Sequence, residues 1–430
     1  MKKIDKTRIL ILKGISQHLR GVPLKKINDY YNNYFKKYNL SEKDISFVTY
    51  FTNIAIRHRG QIETIIKHYI KKSLPKKTLE VKAGLMLGVA QIFFSEIPSY
   101  ALVDSTVNLF QGKIKKWRSL ANAVLRKINT EKNNLEKIKN NLILSIPSWL
   151  YTDWKNQYGE KNVKKLLEVL QNEPGLDLRV KNKTDYWVSV LGGIKLGHNT
   201  VRVFNKGNVE SYKGYKEGSW WVQDIAAQLP VTVMGNIKKK KILDLCSAPG
   251  GKTLQMLSQG AYVKAIEVSK ERSEMLFKNI SRINLSKNFK VEVIDLMYLE
   301  SKEKYDIVLL DAPCSGTGTF RKNPDVVWIK NKNDVIKNAK TQKKLLIKAL
   351  SFVKKKGFLI YSNCSLQHEE GENLIDDLVN KNIIQLDMIN EKEISGYPKE
   401  IINKGLIRTL PYMYNGGMDG FFIARIKKII

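Results

Sequence analysis

The sequence predicts a multidomain α and α/β protein with an N-terminal all-α domain, a small α+β middle domain and a C-terminal domain built on a parallel sheet. Three observations predict it. Helical periodicity dominates to about residue 130, a mixed texture follows to about residue 220, and beyond about residue 240 five apolar runs alternate with helical stretches. A chain of 430 residues exceeds one typical domain of roughly 150. The expected divisions are 1–130, 131–220 and 221–430.

In the first region Val81, Leu85, Val89, Ile92 and Phe93 repeat at helical spacing, and the pattern stops at Ile97-Pro98, where proline disfavours helix in the residue before it. Asp104-Ser105 reads as the next helix start, carrying Val107, Leu109 and Phe110; after Gly112 another segment runs through Trp117, Leu120, Val124, Leu125 and Ile128. The charged, Asn-rich stretch 130–141 reads as a linker or an exposed helix. Pro147-Ser148-Trp149 opens the middle region, with one helix over 162–171 and β-like runs at 176–180 and 201–204. The five later runs lie at 242–245, 262–266, 291–294, 307–310 and 358–361. Strands alternating with helices in this way form a parallel sheet with crossover helices. A last pair of strands is expected near 405–409 and 420–425.

Lysine and arginine outnumber aspartate and glutamate by 74 to 41, a formal charge of +33. Such an excess repels itself, yet it draws in a polyanion from a distance, and nucleic acid is the expected partner. Read without function, the same charge is a lysine-rich solvated surface. No apolar stretch approaches the roughly 20 residues of a transmembrane helix. Ile9 to Leu12, hemmed in by Lys6, Arg8 and Lys13, lacks the features of a signal peptide. A cytoplasmic location without a membrane partner is expected. The three cysteines, Cys246, Cys314 and Cys364, are too few and odd in number for a disulfide framework. None lies in a CxxC and the histidines do not cluster near them, so no metal site is expected.

All three cysteines sit beside Gly/Pro-rich turns. Cys246, Ser247, Ala248, Pro249, Gly250, Gly251 and Lys252 follow the first of the five strands and open a helix, where glycines admit a ligand close to the backbone and amides favour a negative group. Glu267 ends the next strand, about where a doubly wound fold puts a ribose-binding carboxylate. The GxxxxGK spacing of a triphosphate loop is absent, so a nucleoside cofactor is the reading. Asp295 and Asp311 end the third and fourth strands on the same edge, although lone aspartates there are often turn formers.

The fourth strand runs into Asp311-Ala312-Pro313-Cys314-Ser315-Gly316-Thr317-Gly318, and the fifth into Tyr361-Ser362-Asn363-Cys364-Ser365. Neighbouring strands lie about 4.8 Å apart, which puts Cys314 and Cys364 on one cleft. A lone cysteine is usually a small buried hydrophobe; two at adjacent strand ends suggest nucleophilic catalysis. Carbon-5 of cytosine is too weak a nucleophile to take a methyl group from a sulfonium. A thiolate added to carbon-6 makes carbon-5 enamine-like, a carboxyl near ring nitrogen-3 stabilises the adduct, and a base then removes the carbon-5 proton. Basic runs at Lys238–Lys241, Lys354–Lys356 and Arg57-His58-Arg59 read as solvated faces whose sum fits phosphate contacts. Trp220-Trp221 reads as packing, with base stacking as the alternative.

Together CSAPGGKT, DAPCSGTGTFRKNPD, YSNCSLQHEEGE, Val222-Gln223-Asp224 and the stretch Leu410 to Phe422 resemble the RsmB/Sun (Fmu) branch of the RNA 5-methylcytosine methyltransferases, of the wider NOL1/NOP2/Sun family. Ile97-Pro98-Ser99-Tyr100 and Leu120 to Lys127 resemble the NusB-like RNA-binding domain that this branch carries. The resemblance spans the chain, more loosely before residue 220. It implies a NusB-like domain, then a Rossmann-like S-adenosylmethionine (SAM)-dependent methyltransferase domain, acting on a cytosine of 16S ribosomal RNA; separately, a monomer is expected. Cys364 takes the place of the family's nucleophile, Cys314 that of the cysteine assisting release, with Asp311 catalytic beside them. Cys246 to Lys252, Glu267, Asp295 and Asp311 take the place of its SAM contacts. The chain departs from the family at Glu267 (often Asp), Asn363 (usually Thr) and Gly371 (commonly Asn). Rival readings are a transfer-RNA or large-subunit RNA cytosine-5 methyltransferase and a non-catalytic NusB-like RNA-binding protein. An exocyclic-nitrogen methyltransferase would carry an Asn-Pro-Pro-Tyr type loop where Asp311-Ala312-Pro313-Cys314 stands.

Overall fold

The computed structural model describes residues 5–71, 74–75, 78–95, 99–197, 199–204 and 207–428. The chain divides into two compact units, one of residues 1–172 with 323–330 and the other of residues 173–322 with 331–430.

The first unit is helical. Helix Leu79–Phe94 carries the expected apolar repeat and is buried all round, with Val81, Leu85 and Val89 inaccessible. Helices Lys6–Leu19, Glu42–Arg57 and Arg59–Tyr69 pack against it. The expected stop at Ile97-Pro98 lies outside the described residues. The next helix spans Ser99–Val107, so Asp104 sits inside it instead of starting it. The stretch 130–141, expected as a linker or an exposed helix, is helical, with the turns Lys132–Leu135 and Glu136–Lys139. Leu135 is buried in the helical core, and two helices, Ser148–Tyr158 and Glu160–Leu170, stand where one was expected. Arg57-His58-Arg59 is likewise not a solvated face. Arg57 is buried and its Nη1 donates to the Leu170 carbonyl at 2.8 Å. His58 stacks on Phe94 at 4.1 Å, and burial first, then the charge of Arg57, pushes its pKa down to about 3. An uncharged imidazole in the core contacts no phosphate.

The second unit holds two sheets. Strands β1 (Leu176–Val180), β2 (Ile194–Leu196), β3 (Thr200–Val203) and β4 (Trp220–Val222) form an antiparallel sheet in the order β2-β3-β1-β4. Trp220 and Trp221 are buried, and their indole N–H groups donate to Lys213 O at 3.0 Å and Gln223 Oε1 at 2.8 Å. Packing is their role, and base stacking is ruled out by that burial.

The larger sheet is parallel at its centre: β5 (Lys241–Leu245), β6 (Tyr262–Glu267), β7 (Phe289–Val293), β8 (Tyr305–Asp311) and β9 (Val353–Asn363). It is completed by β10 (Ile384–Leu386), β11 (Ile402–Asn403), β12 (Leu406–Thr409) and β13 (Phe421–Lys428). The order is β11-β12-β13-β9-β8-β5-β6-β7, with β10 beside β13. Strands β5, β8 and β9 run through the middle, covered on both faces, which is why they read as continuous apolar runs. Strand β13 pairs antiparallel with β9. The carboxyl ends of β5 to β9 therefore share one edge, the edge at which open α/β sheets bind ligands.

Candidate active site

At one end of that edge β5 turns through Cys246, at φ +60°, and Gly250, at φ +105°, into helix Gly251–Ser258. A Cβ on Gly250 would stand 2.5 Å from Leu276, so glycine is needed there for both space and conformation. Glu267 is buried, and its two oxygens accept the amides of Ala248 and Ser269, each at 3.2 Å. Asp295 is exposed at the end of β7 and accepts the Met297 amide at 2.9 Å, so it is also the turn former that lone aspartates usually are. Two apolar side chains beside these carboxylates, Val268 and Met297, are 63% and 42% exposed. Sequence reasoning passed over both; their place just beyond strand-end carboxylates was the available signal. Carboxylates for hydroxyls, apolar faces for a flat base and a glycine turn at a helix start suit a nucleoside.

Beneath the turn lies Asp244, which opens the same motif but was not among the expected site residues. Thr253 Oγ1 donates to its Oδ2 at 2.6 Å, while its buried Oδ1 has no partner. Burial first, helped by Asp311 and Glu267, raises its pKa to about 7 against the pull of Thr253 and Lys252. Burial and the same carboxylates push the Cys246 thiol up to about 12. That thiol is unreactive at neutral pH.

At the other end, Asp311 pairs with Ser362 in the parallel register of β8 and β9. Beyond that pair the sulfurs of Cys314 and Cys364 lie 3.5 Å apart. The Gly318 amide donates to the Cys364 carbonyl at 2.9 Å, and the Gly420 amide to the Gly318 carbonyl at 2.8 Å. A Cβ on Gly318 would fall 2.1 Å from the Gly420 oxygen, so only glycine permits this closeness. Lys252 Nζ stands 2.7 Å from Asp311 Oδ2, and Ser362 donates to Asp311 Oδ1 at 2.9 Å. One ion pair thus joins the glycine turn to the thiol end. The Cys314 thiol is pushed well above its ordinary range, first by its hydrogen bond to Cys364, then by burial and the charges of Cys364 and Glu370. At this separation one thiol can donate to the other sulfur.

The support beneath the cysteines was not anticipated. Glu370 is fully buried. Its Oε1 accepts the Ser315 amide at 2.8 Å and Gln342 Nε2 at 3.1 Å, while Oε2 accepts the hydroxyls of Ser315 and Ser365. The Glu370 carbonyl accepts Tyr361 Oη and Asn363 Nδ2, both at 2.7 Å. So Asn363, the family departure, braces the nucleophile loop from below. Nearby, Arg321 and Lys322 meet the buried carboxylates Asp224 and Asp419. Burial opposes the charge on Asp224, but Lys322 and Arg321 outweigh it and hold its pKa at about 2. Asp224, Arg321 and Asp419 come from three of the recognised motifs, and the structure joins them in one cluster. Among the described residues no group of histidine, cysteine or carboxylate side chains could hold a metal ion, and no helix is long and apolar enough to cross a membrane.

Comparison with known proteins places these elements in context. The family profile described as 16S rRNA methyltransferase RsmB/F matches residues 231–427, and that described as NusB family matches residues 5–130. Ribosomal RNA small subunit methyltransferase B of Pasteurella multocida is 30% identical over 389 residues, covering 86% of this chain and 85% of that protein. The Proteus mirabilis protein of the same name is 30% identical over 411 residues, covering 91% and 92%. Among solved structures, PH0851 covers 100% of both chains with a TM-score of 0.78 at 22% identity. NSun6 from Pyrococcus horikoshii with SFG covers 66% of this chain and 98% of its own, with a TM-score of 0.55 at 19% identity. Both share the fold.

Proposed function

We propose that this chain, which belongs to the RsmB/F family of 16S ribosomal RNA methyltransferases, methylates carbon-5 of a cytosine in 16S ribosomal RNA through a covalent bond to Cys364. The coarser activity is that of the family: the chain is a SAM-dependent ribosomal RNA methyltransferase with an N-terminal NusB domain and a C-terminal Rossmann-like domain. The finer reading rests on the two sulfurs 3.5 Å apart at the ends of β8 and β9.

Bound SAM supplies an electrophilic methyl group on its sulfonium. In this reading Glu267 and Asp295 would hold its ribose, Val268 and Met297 would flank its base, and the turn from Cys246 to Lys252 would receive the rest. The Cys364 thiolate adds to carbon-6 of the cytosine, so that electron density moves to carbon-5, which would take the methyl group as its bond to the sulfonium breaks and a neutral thioether is left. Asp311, oriented by Lys252 and Ser362, faces ring nitrogen-3 and stabilises the adduct. With Cys364 bonded to carbon-6, Cys314 no longer faces a neighbouring sulfur charge; it releases its proton to solvent and, as thiolate, takes the carbon-5 proton, after which the bond to Cys364 breaks, the ring regains aromaticity and Cys364 leaves as thiolate. Each thiol begins and ends in its original bonding state, with one proton lost from cytosine to solvent. The target base must be unstacked to enter, which costs a few kcal/mol, and the +33 charge supplies phosphate contacts that offset it.

With purified protein, SAM and 16S ribosomal RNA, Cys364→Ala abolishes methyl transfer, while Cys314→Ala accumulates a protein–RNA adduct that resists denaturing electrophoresis. Wild-type turnover by Cys364→Ala would overturn the assignment. Bisulfite sequencing of RNA from cells lacking the protein checks the substrate. A lost signal in transfer RNA or large-subunit RNA, with 16S RNA unchanged, refutes it.

A further inference from the structure

We infer that Glu370 is a positioning residue that decides which of the two cysteines carries the proton, holding it on Cys314 and leaving Cys364 as the nucleophile. The inference rests on the roles proposed above for the cysteines. Two thiols at 3.5 Å in one cleft are chemically alike, and something must break their symmetry.

The carboxylate of Glu370 does so by place and by charge. Ser315, the neighbour of Cys314, donates both its amide and its hydroxyl to Glu370. Ser365, the neighbour of Cys364, donates only its hydroxyl. Gln342, the remaining donor, also holds the Pro313 carbonyl at 2.8 Å on the Cys314 side. None of these donors is a cation, so the carboxylate charge is solvated by neutral dipoles and its field persists in a dry site. That field opposes a second negative charge on Cys314, whereas a sulfur charge on Cys364 accepts the Cys314 S–H.

The other charged and titratable groups around the pair do not supply this bias. Arg408, from β12, is committed to Glu372 at 2.6 Å and to the Ser365 carbonyl. Asp311 is neutralised by Lys252 at 2.7 Å. Burial drives the Tyr361 phenol well above its ordinary range and lowers the His368 imidazole, so both are uncharged at neutral pH.

The test is brief alkylation with iodoacetamide, without RNA or SAM, followed by peptide mass spectrometry and a thermal melt of each variant. Wild type reacts preferentially at Cys364. Glu370→Gln keeps the size and an acceptor for the Ser315 amide but removes the charge. It should raise labelling of Cys314 relative to Cys364 about tenfold and move the onset of Cys314 labelling to lower pH. Glu370→Asp, which restores the charge, should return the ratio toward wild type; a purely structural role predicts that the shorter side chain does more damage than the isosteric amide. A folded Glu370→Gln with an unchanged ratio overturns the inference. If that variant does not fold, wild type still decides, because equal labelling or preference for Cys314 overturns it too. An inactive Cys364→Ala with an unchanged alkylation ratio removes only the role of Glu370 and leaves the reading of the cysteines standing.

Discussion

The two ends of the sheet edge are built differently. At the cofactor end the carboxylates are held by backbone amides at the strand ends: Glu267 by Ser269, two residues on, and by Ala248, 19 residues back, and Asp295 by Met297, two residues on. At the thiol end Glu370 gathers near donors, Ser365 and Asn363, together with distant ones. Ser315 and Glu370 are 55 residues apart, Gln342 and Glu370 are 28 apart, and the cysteines 50 apart. A local turn can be specified by a short motif, because its donors and acceptors are adjacent. A pair of thiols on different strands needs a buried network, fully hydrogen-bonded, to fix its separation. The difference predicts that the ends respond independently to substitution.

The largest effect is expected at the thiol end. Cys364→Ala should reduce methyl transfer by at least about a thousandfold, while SAM affinity by calorimetry stays within about twofold. A parallel loss of SAM binding would break the comparison by showing the ends to be coupled through the Lys252–Asp311 pair. Next comes Arg321→Ala, which leaves Asp224 and Asp419 with Lys322 alone. Breaking a buried ion cluster costs about 3–5 kcal/mol, read by denaturant unfolding; a cost under about 1 kcal/mol would show that the support around the Cys314 loop is not cooperative.

Glu267→Gln should act at the other end. It should weaken SAM binding about tenfold through loss of charged hydrogen bonds, with turnover at saturating SAM nearly unchanged. A loss of turnover without loss of affinity contradicts the division of labour. The smallest effect is a pH dependence. With a folded pKa of about 7, Asp244 binds its proton more tightly folded than unfolded. Its contribution to stability is therefore complete below about pH 4 and is lost as pH rises to 7. Asp244→Asn should accordingly gain melting temperature over wild type at pH 8 and little at pH 5; an equal gap at both would place the group's titration elsewhere.

Much of this architecture was legible before any coordinates. The parallel strands β5, β6, β8 and β9 declared themselves because their central residues are covered on both faces and apolar residues predominate there, despite charged members such as Asp244 and Lys264. The glycine turn, Glu267 and the two cysteines were legible because their chemistry depends on residue type and short spacing. Less legible were β10, β11 and the helix Ser148–Tyr158, whose patterns are short or masked by tyrosine and tryptophan at the surface and core alike. Arg57 and His58 misled for a related reason. A basic residue reads as solvated unless its partner is known, and the partners, Leu170 and Phe94, lie 113 residues away and across the core respectively.

The sequence by itself determined the residue types, the order of the strands along the chain and the turns that end them, since backbone preferences and periodicity act over a few residues. Only the tertiary structure decided that Cys314 and Cys364 stand within contact, that Glu370 lies beneath them and that Asp224 meets Arg321. Those facts depend on which strands become neighbours and on which buried polar groups find each other. Such pairings are set by hydrogen-bond satisfaction in a low-dielectric interior, a condition imposed by the whole fold and not by any one segment.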